Sequence, residues 1–324
     1  MVIDSRFRQI IYCIVLVMMW QSGLSAQETG LLNLSFDNSR EYYIEIDEIF
    51  AKEWLEKTGE YIPIKTTHAG SLNQAKAIIE GAHADIVTLA SEMSVDMISE
   101  HTKLIPSDWK RKFPHNSSPF SSSIVFLVRK GNPKGVKDWD DISSKDVSIV
   151  MPDPKTSALA KYNYLSAWAY YDRKFKGDEQ KILTALQDIP RKILPRRKGS
   201  RTTSLDFLQR GLGDVSVMFE SEALLAISEF GDKFEIVYPS VSFLAPFPVA
   251  IVEGNVMPKG KGDLANAYVN FLFSPKGQAV AAKHFFHPAF EQYARASDMR
   301  KLPKISYLNG SVHGGGVISS ALPV

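Results

Sequence analysis

Residues 79–89 read IEGAHADIVTL, and residues 208–218 read LQRGLGDVSVM. In each stretch a helical pattern ends at a glycine, an aspartate follows a few residues later, and an apolar run suited to a buried strand comes next. The similarity indicates either two lobes of like construction or only the usual end of any helix–strand unit. In both cases a helix leads into a buried strand, which is the recurring unit of α/β folds.

Strand and helix patterns alternate along the rest of the chain. The predicted strands are Leu31–Phe36, Tyr61–Lys65, Ile86–Leu89, Ile124–Val128, Ser148–Met151, Val215–Phe219 and Val249–Val252. The predicted helices are one through Tyr42 and Trp54 that stops at Gly59, Leu72–Glu80, a long one marked by Ala158, Tyr162, Leu165 and Ala169, Ser204–Gln209, Asp263–Phe273 and Pro275–His284. Strands separated by helices predict parallel sheets with helices on both faces.

The first 26 residues have the layout of a secretory signal peptide. Arg6 and Arg8 supply the positive start, Ile10–Trp20 is uninterrupted and apolar, and small residues lead up to Ala26. The apolar run is shorter than the roughly 18 residues of a membrane span, and an uncleaved anchor is the alternative. We predict export with removal of residues 1–26, which include Cys13, the single cysteine of the chain.

Composition and charge exclude several classes of protein. The 324 residues favour two domains, and contents of 44% apolar and 23% charged residues are those of ordinary globular chains. The 38 basic and 36 acidic residues leave a formal charge of +2, too balanced for the basic face of a nucleic-acid-binding protein. One cysteine excludes an internal disulfide framework and a zinc site built on several cysteines.

The sequence contains no recognisable catalytic or metal motif. It has no G-x-S-x-G or H-E-x-x-H pattern, and residues 258–262 (PKGKG) lack the spacing of a phosphate-binding loop. His284 and His287 are surrounded by apolar residues, so we interpret them as a helix end and not as a metal site. A basic run at 191–198 predicts a solvated loop or, alternatively, a segment that steers anions. We expect no catalysis and no cofactor.

Polar residues mark the starts of four predicted helices, each directly after a strand. These starts are Asp37–Ser39, Gly70–Ser71, Lys155–Ser157 and Gly199–Ser204. The first turn of a helix presents unpaired backbone N–H groups and a partial positive charge, so several starts that face one crevice make an anion site. The alternative is that each is an ordinary N-cap.

A longer motif resembles a known family. The stretch FLVRKGNPKGVKDWDD at 126–141 is similar to a signature of the periplasmic sulfate-binding proteins of ABC importers, a group that also serves thiosulfate. The resemblance runs from about Leu31 to about Lys304. Further similar stretches are LSFD at 34–37, HAGS at 68–71, ADIVTLA at 84–90, PDPKTS at 152–157, ESEA at 220–223 and SPKGQ at 274–278.

This resemblance implies a two-lobed type II periplasmic binding protein fold, in which each lobe is a sheet flanked by helices. Lobe 1 would comprise residues 27–119 and 247–324, and lobe 2 residues 120–246, with hinge strands near Ser121–Ser123 and Ala245–Pro248. A monomer would close on a dehydrated sulfate, held mainly by backbone N–H groups, and would dock on the permease of the importer. No metal and no nucleic acid enter this function.

The resemblance also implies the ligand-binding residues. They are Asp37, Ser71, Ser157, Ala158, Leu159, Thr203 and Phe219. Ala158 and Leu159 stand where the family has two glycines, and Phe219 stands where it has a tryptophan whose indole N–H donates to the anion. One lost hydrogen bond to a charged group is worth about 1.5–3 kcal/mol.

These departures keep alternatives open. The ligand could be thiosulfate or another oxyanion such as molybdate or phosphate, and the protein could be an anion sensor outside transport or an enzyme acting on a sulfate or phosphate ester. After Lys304 the chain also departs from the family, which usually continues into a further helical segment on the first lobe.

Overall fold

The computed structural model describes residues 30–155, 157–194 and 200–302, together with the backbone of 307–308. The strands are β1 (Leu31–Phe36), β2 (Ile64–Ala69), β3 (Ile86–Thr88), β4 (Phe120–Arg129), β5 (Ile149–Val150), β6 (Val215–Phe219), β7 (Phe234–Val237), β8 (Ser242–Phe247), β9 (Val249–Ile251), β10 (His287–Pro288) and β11 (Tyr307–Leu308). The α-helices are α1 (Arg40–Thr58), α2 (Ser71–Ile79), α3 (Glu92–Thr102), α4 (Pro114–Ser117), α5 (Trp139–Ser144), α6 (Ala158–Phe175), α7 (Glu179–Leu186), α8 (Ile189–Lys192), α9 (Ser200–Leu208), α10 (Glu220–Phe230), α11 (Glu253–Val256), α12 (Gly262–Leu272), α13 (Pro275–Lys283) and α14 (Ala296–Met299).

Two sheets organise the fold. The first has the order β2-β1-β3-β9, in which β1 is parallel to β2 and β3 and β9 runs antiparallel to β3. The second has the order β11-β8-β4-β6-β5, and β7 and β10 also pair with β4. The predicted α/β class, with two sheets flanked by helices, is confirmed.

The prediction of purely parallel sheets is wrong. Strand β4 runs antiparallel to β6, β7, β8 and β10, whereas β5 and β6 are parallel. The alternation rule assumes that a helix crosses over between neighbouring strands, but antiparallel neighbours need no such crossover. The rule also missed β8, because Pro246 lies inside it and proline is unusual within a ladder.

Most predicted elements appear within one or two residues of their predicted bounds, with three clear shifts. Strand β4 begins at Phe120, four residues before the predicted Ile124. The strand predicted at Tyr61–Lys65 is observed at Ile64–Ala69. It lies at the edge of its sheet and is only partly buried, so polar residues occupy positions where the prediction required apolar ones. The helix predicted at Ser204–Gln209 begins four residues earlier, at Ser200.

The two similar stretches at 79–89 and 208–218 make the same contact in the two sheets. The N–H of Asp85 donates to the carbonyl of Leu32 (2.8 Å), and the Asp85 carboxylate accepts from the N–H of Leu32 (2.9 Å). Asp214 repeats both bonds with Ser148, at 2.9 and 2.8 Å. In each sheet an aspartate thus sets the register at the start of a parallel strand pair. This equivalence favours two lobes of like construction over a generic helix–strand ending.

The two segments predicted as hinge strands are neighbours in one antiparallel ladder. Phe120 lies opposite Phe247, and Ser123 lies opposite Leu244, so the start of β4 pairs with the end of β8. On the other side of β4, His287 lies opposite Ser121. The chain then passes from β8 into β9, which belongs to the first sheet. These strands therefore connect the two sheets, and the lobe boundaries themselves stay a prediction.

The hydrophobic core continues from one sheet to the other. One face of the first sheet packs on α2 and α3 through residues such as Ile78 and Val95. Its other face belongs to a larger cluster that extends through Phe120 and Phe247 into the second sheet. Aromatic rings therefore fill the place where the two sheets join.

The Asp85 contact predicts a large effect on stability. Asp85 is almost completely buried, and its carboxylate lies 3.5 Å from the buried ammonium of Lys261. Asp85→Ala leaves that charge without its partner and removes the acceptor for the N–H of Leu32. We expect the free energy of unfolding, measured in urea, to fall by about 3 kcal/mol. The exposed Asp146→Ala should change it by less than about 0.5 kcal/mol, and an equal effect of the two substitutions would contradict the assignment.

Candidate functional site

Two of the four polar helix starts, at Asp37 and Ser71, directly follow strands as predicted, whereas Ser157 comes seven residues after β5, and α9 comes after α8 and not after a strand among the described elements. Asp37 directly follows β1 and begins a short 3₁₀ turn (Asp37–Ser39) that leads into α1. Ser71 is the first residue of α2, which follows β2. Ser157 directly precedes α6, and Phe219 ends β6 directly before α10. The helix starts of both sheets are thus available at strand ends.

Contacts across the two sheets bring these starts together. The Ser200 hydroxyl, at the start of α9, donates to the side-chain oxygen of Asn38, and the Ser200 N–H donates to the Asp37 carboxyl group. One residue further along α9, the Arg201 guanidinium lies 2.9 Å from a carboxylate oxygen of Glu41 on α1. The start of α9 therefore lies against the residues that directly follow β1, and we call the region between the two sheets at this contact the cleft.

Aromatic rings form the base of this cleft. Phe36 and Phe219 are the last residues of β1 and β6, and their ring centroids lie 4.6 and 5.0 Å from that of Phe247. Tyr162, in the first turns of α6, lies 6.3 Å from Phe219. Phe219 is 1% exposed, and its side chain offers no hydrogen-bond donor. It contributes an apolar wall.

The two serines predicted to bind the anion have different surroundings. The Ser71 hydroxyl accepts a hydrogen bond from the N–H of Ala90 (2.9 Å), so this side chain holds the loop after β3. The N–H of Ser157 donates to the carbonyl of Asp153 (3.0 Å), and its hydroxyl makes no N-cap hydrogen bond to α6. The first N–H groups of a helix lack intrahelical acceptors, which leaves the N–H groups at the starts of α2 and α6 for a ligand.

Ala158 and Leu159 occupy the first turn of α6 and are both 2% exposed. Their backbone N–H groups fall at the helix start, where the prediction requires donors. The side chain of Leu159 belongs to the large core cluster, together with Ala158 and Phe219. Its bulk is therefore accommodated in the core.

Sequence reasoning selected Thr203 as the donor from α9, but Ser200 is the residue of that helix that meets the first sheet. Thr203 is the fourth residue of α9, where the N–H groups begin to bond within the helix. Ser200 is the first residue, and it contacts both Asp37 and Asn38. The available signal was a serine directly after a glycine, which is a common pattern at a helix start.

Carboxylates balance the cation near the cleft. Arg201 lies 2.9 Å from Glu41 and 3.8 Å from Glu222, and Glu222 is 3% exposed. Burial raises the pKa of Glu222 to about 7, against the opposing effect of Arg201. Burial also raises the pKa of Asp37, and the nearby Arg40 and the N–H of Ser200 oppose this shift. Arg201 is thus engaged with protein carboxylates, and both Arg40 and the backbone dipoles add positive potential at the start of α1.

The other residues considered for chemistry lie apart from this cleft. His284 pairs with Glu45 (2.8 Å) and His287 with Glu220 (2.6 Å), so the two histidines do not share a site. Across the described ranges, no group of three or more potential metal ligands occurs. In the basic run, Lys192 donates to the carbonyl of Lys145 (2.5 Å), and residues 195–199 lie outside the described residues.

Two α/β sheets with polar helix starts in contact between them are the architecture of a solute-binding protein. Residues 44–287 match the family model described as bacterial extracellular solute-binding protein, and the chain belongs to this family. Within the part of the chain that the structure covers, no helix combines the length and the apolar character needed to cross a membrane.

Relatives with assigned ligands cover nearly the whole chain. The chain is 39% identical over 296 residues to the sulfate-binding protein of Escherichia coli K12. The aligned residues cover 91% of this chain and 89% of that protein. It is 41% identical over 289 residues to the thiosulfate-binding protein of Pseudomonas aeruginosa, which covers 89% and 86%. The predicted kinship with sulfate- and thiosulfate-binding proteins is confirmed.

Solved structures confirm the fold. The sulfate-binding protein SubI of Mycobacterium tuberculosis superposes with a TM-score of 0.76 at 23% identity, covering 86% of this chain and 93% of that one. The substrate-binding domain of a putative molybdenum ABC transporter from Clostridium difficile has the same fold at a TM-score of 0.52 and 17% identity, covering 81% and 99%.

The raised pKa of Glu222 predicts a pH dependence of stability. Its ordinary value is 4.5, so the folded protein holds this proton more tightly than the unfolded chain does. The resulting stabilisation is complete below about pH 4.5 and is lost as the pH rises through about 7. We expect Glu222→Gln to reduce the fall in unfolding free energy between pH 5 and pH 8, measured by urea denaturation.

The matched control is Glu229→Gln, which removes an exposed carboxylate from the same helix. It should leave the pH dependence of the wild type unchanged. If the unfolding free energy of Glu222→Gln falls between pH 5 and pH 8 as steeply as that of the wild type, Glu222 does not cause the pH dependence.

Proposed function

We propose that this protein is the periplasmic solute-binding component of an ABC importer and that it captures sulfate in the cleft between its two sheets. The observation that carries the proposal is the contact of Ser200 with Asp37 and Asn38, which joins helix starts from the two sheets. The sulfate- and thiosulfate-binding relatives, at about 40% identity, support the choice of ligand class. The mature protein acts as a monomer and docks on the permease.

The chemistry of the cleft suits an anion that only accepts hydrogen bonds. Sulfate carries no proton near neutral pH, so a site that binds it needs donors. Phosphate carries a proton there and requires an acceptor, and the cost of leaving that proton unpaired selects against it. The Asp37 carboxyl group already accepts from the N–H of Ser200, and Glu41 already pairs with Arg201. The donor groups at the starts of α2 and α6 remain for the ligand.

Binding and release follow from the connection between the sheets. We assign lobe 1 to residues 27–119 and 247–324 and lobe 2 to residues 120–246, with the ladder between Ser121–Ser123 and Ala245–Pro248 as the hinge. A ligand that bonds to both lobes stabilises the closed form, and no covalent bond is made or broken. The protein is therefore a carrier and not an enzyme.

Thiosulfate is the second candidate ligand, and Phe219 is the residue that favours it. Thiosulfate carries one terminal sulfur atom, a weaker hydrogen-bond acceptor than oxygen, which can lie against an apolar ring. The ring of Phe219 supplies such a wall and no N–H group. A relative from Pseudomonas aeruginosa, at 41% identity, is named as a thiosulfate-binding protein.

Calorimetric titration of the protein from residue 27 onward, with sulfate, thiosulfate, molybdate and phosphate, tests the proposal. We expect binding of sulfate or thiosulfate and none of phosphate. Absence of heat with all four anions would refute the cleft assignment, and binding of molybdate or phosphate alone would refute the ligand. ATP-dependent uptake in a deletion strain separates transport from sensing, and turnover of sulfate or phosphate esters would indicate an enzyme.

Phe219→Trp tests the role of the missing donor. An indole N–H at this position adds one hydrogen bond to a charged ligand, so we expect sulfate to bind about tenfold or more tightly. Phe219→Leu keeps an apolar side chain without a donor and should bring no such gain. Equal effects of the two substitutions on the sulfate Kd, measured by calorimetry, would show that the donor is irrelevant.

A further inference from the structure

We infer that the side-chain amide of Asn38 is an additional anion donor in the cleft and that Ser200 holds it in place from the opposite sheet. This inference rests on the proposed oxyanion-binding function. It concerns a residue outside the set transferred from the family, and it makes the affinity of this chain depend on a contact between the two lobes.

The first observation is the state of the amide itself. Asn38 is 7% exposed, and its side-chain oxygen accepts the hydroxyl hydrogen of Ser200. Its amide nitrogen is buried and has no hydrogen-bond partner among the residues that the structure describes. An amide nitrogen carries two donors, and burial of unpaired donors is costly. This nitrogen therefore requires an acceptor at the cleft.

The second observation is that Asp37 and Glu41 already accept hydrogen bonds, whereas the buried carboxyl oxygens of Glu222 have no hydrogen-bond partner among the described residues. The Asp37 carboxyl group accepts from the N–H of Ser200, and Arg201 pairs with Glu41 at 2.9 Å and approaches Glu222 at 3.8 Å. An anion that lies against the helix starts adds oxygen acceptors beside Asn38. The amide then gives the anion a donor, while the ring of Phe219 gives it none.

Ser200 determines which end of the amide faces the anion. Because the Ser200 hydroxyl donates to the Asn38 oxygen, the amide nitrogen is the end left for the ligand. The two residues are 162 positions apart and belong to segments on different sheets. Their hydrogen bond forms only when those segments are close, so it stabilises the same closed form that the anion stabilises. Ser200 acts here as a positioning residue.

Three substitutions separate these roles. Asn38→Asp keeps an oxygen for Ser200 but replaces the donor with an acceptor, so we expect the Kd for sulfate and thiosulfate to rise about 100-fold or more. Asn38→Ala removes the donor without adding charge and should raise the Kd roughly 10- to 100-fold. Ser200→Ala keeps the backbone N–H group and should raise the Kd less than about tenfold. Asn270→Asp, an equal charge change at an exposed position of α12, should leave it unchanged.

The outcomes distinguish this inference from the proposed function. If the wild type binds none of the four anions, the proposed function fails. If the wild type binds an anion and the Kd of both Asn38 variants lies within about twofold of the wild-type Kd, the inference fails while the proposed function stands. Should Asn38→Asp not fold, as judged by circular dichroism and urea unfolding, Asn38→Ala decides alone. The role of Ser200 is overturned if Ser200→Ala weakens binding equally in the wild type and in the Asn38→Ala background.

Discussion

The antiparallel pairing of the start of β4 with the end of β8 is the constraint on which the rest of the structure depends. Phe120 lies opposite Phe247 and Ser123 lies opposite Leu244 within the second sheet, and the chain continues from β8 into β9 of the first sheet. From there Phe247 contacts both Phe36 and Phe219, the last residues of β1 and β6. The strand ends, and hence the helix starts that follow them, are thereby turned toward each other. Without this ladder the donors would lie on separate bodies.

The compensation of a bound anion's negative charge follows from this geometry. A dianion in a dry site normally needs a counter-cation, yet Arg201 is engaged by Glu41 and lies beside Glu222. In the site that we propose, backbone N–H groups and helix dipoles supply this compensation, and they are permanent and need no counter-ion of their own. The N–H groups at the helix starts favour anions without protons, because these groups are donors and offer no acceptor to a proton on the ligand. The family and the relatives agree with this chemistry.

Local patterns predicted most of the elements, and the errors have specific causes. Strands β1 and β6 appear at their predicted bounds, because both are mostly apolar and buried and each is directly followed by a helix start. The edge strand β2 shifted, since a partly buried edge accepts Thr66 and His68. The alternation of strand and helix patterns predicted no strand at β8, and only its end was expected, as the hinge strand near Ala245–Pro248. In the site, the assignment of the α9 donor to Thr203 stays a prediction, and Ser200 is the residue of α9 that contacts Asn38.

The amino-acid sequence by itself determined the α/β class, the family and the positions of the helix starts, because these depend on apolar periodicity, capping residues and motifs within a few residues of one another. Only the tertiary structure decided which starts face each other, that β4 runs antiparallel to its neighbours, and that Asn38 meets Ser200. Those facts depend on contacts between residues more than a hundred positions apart. No local pattern encodes such contacts, since they arise only when the whole core has packed.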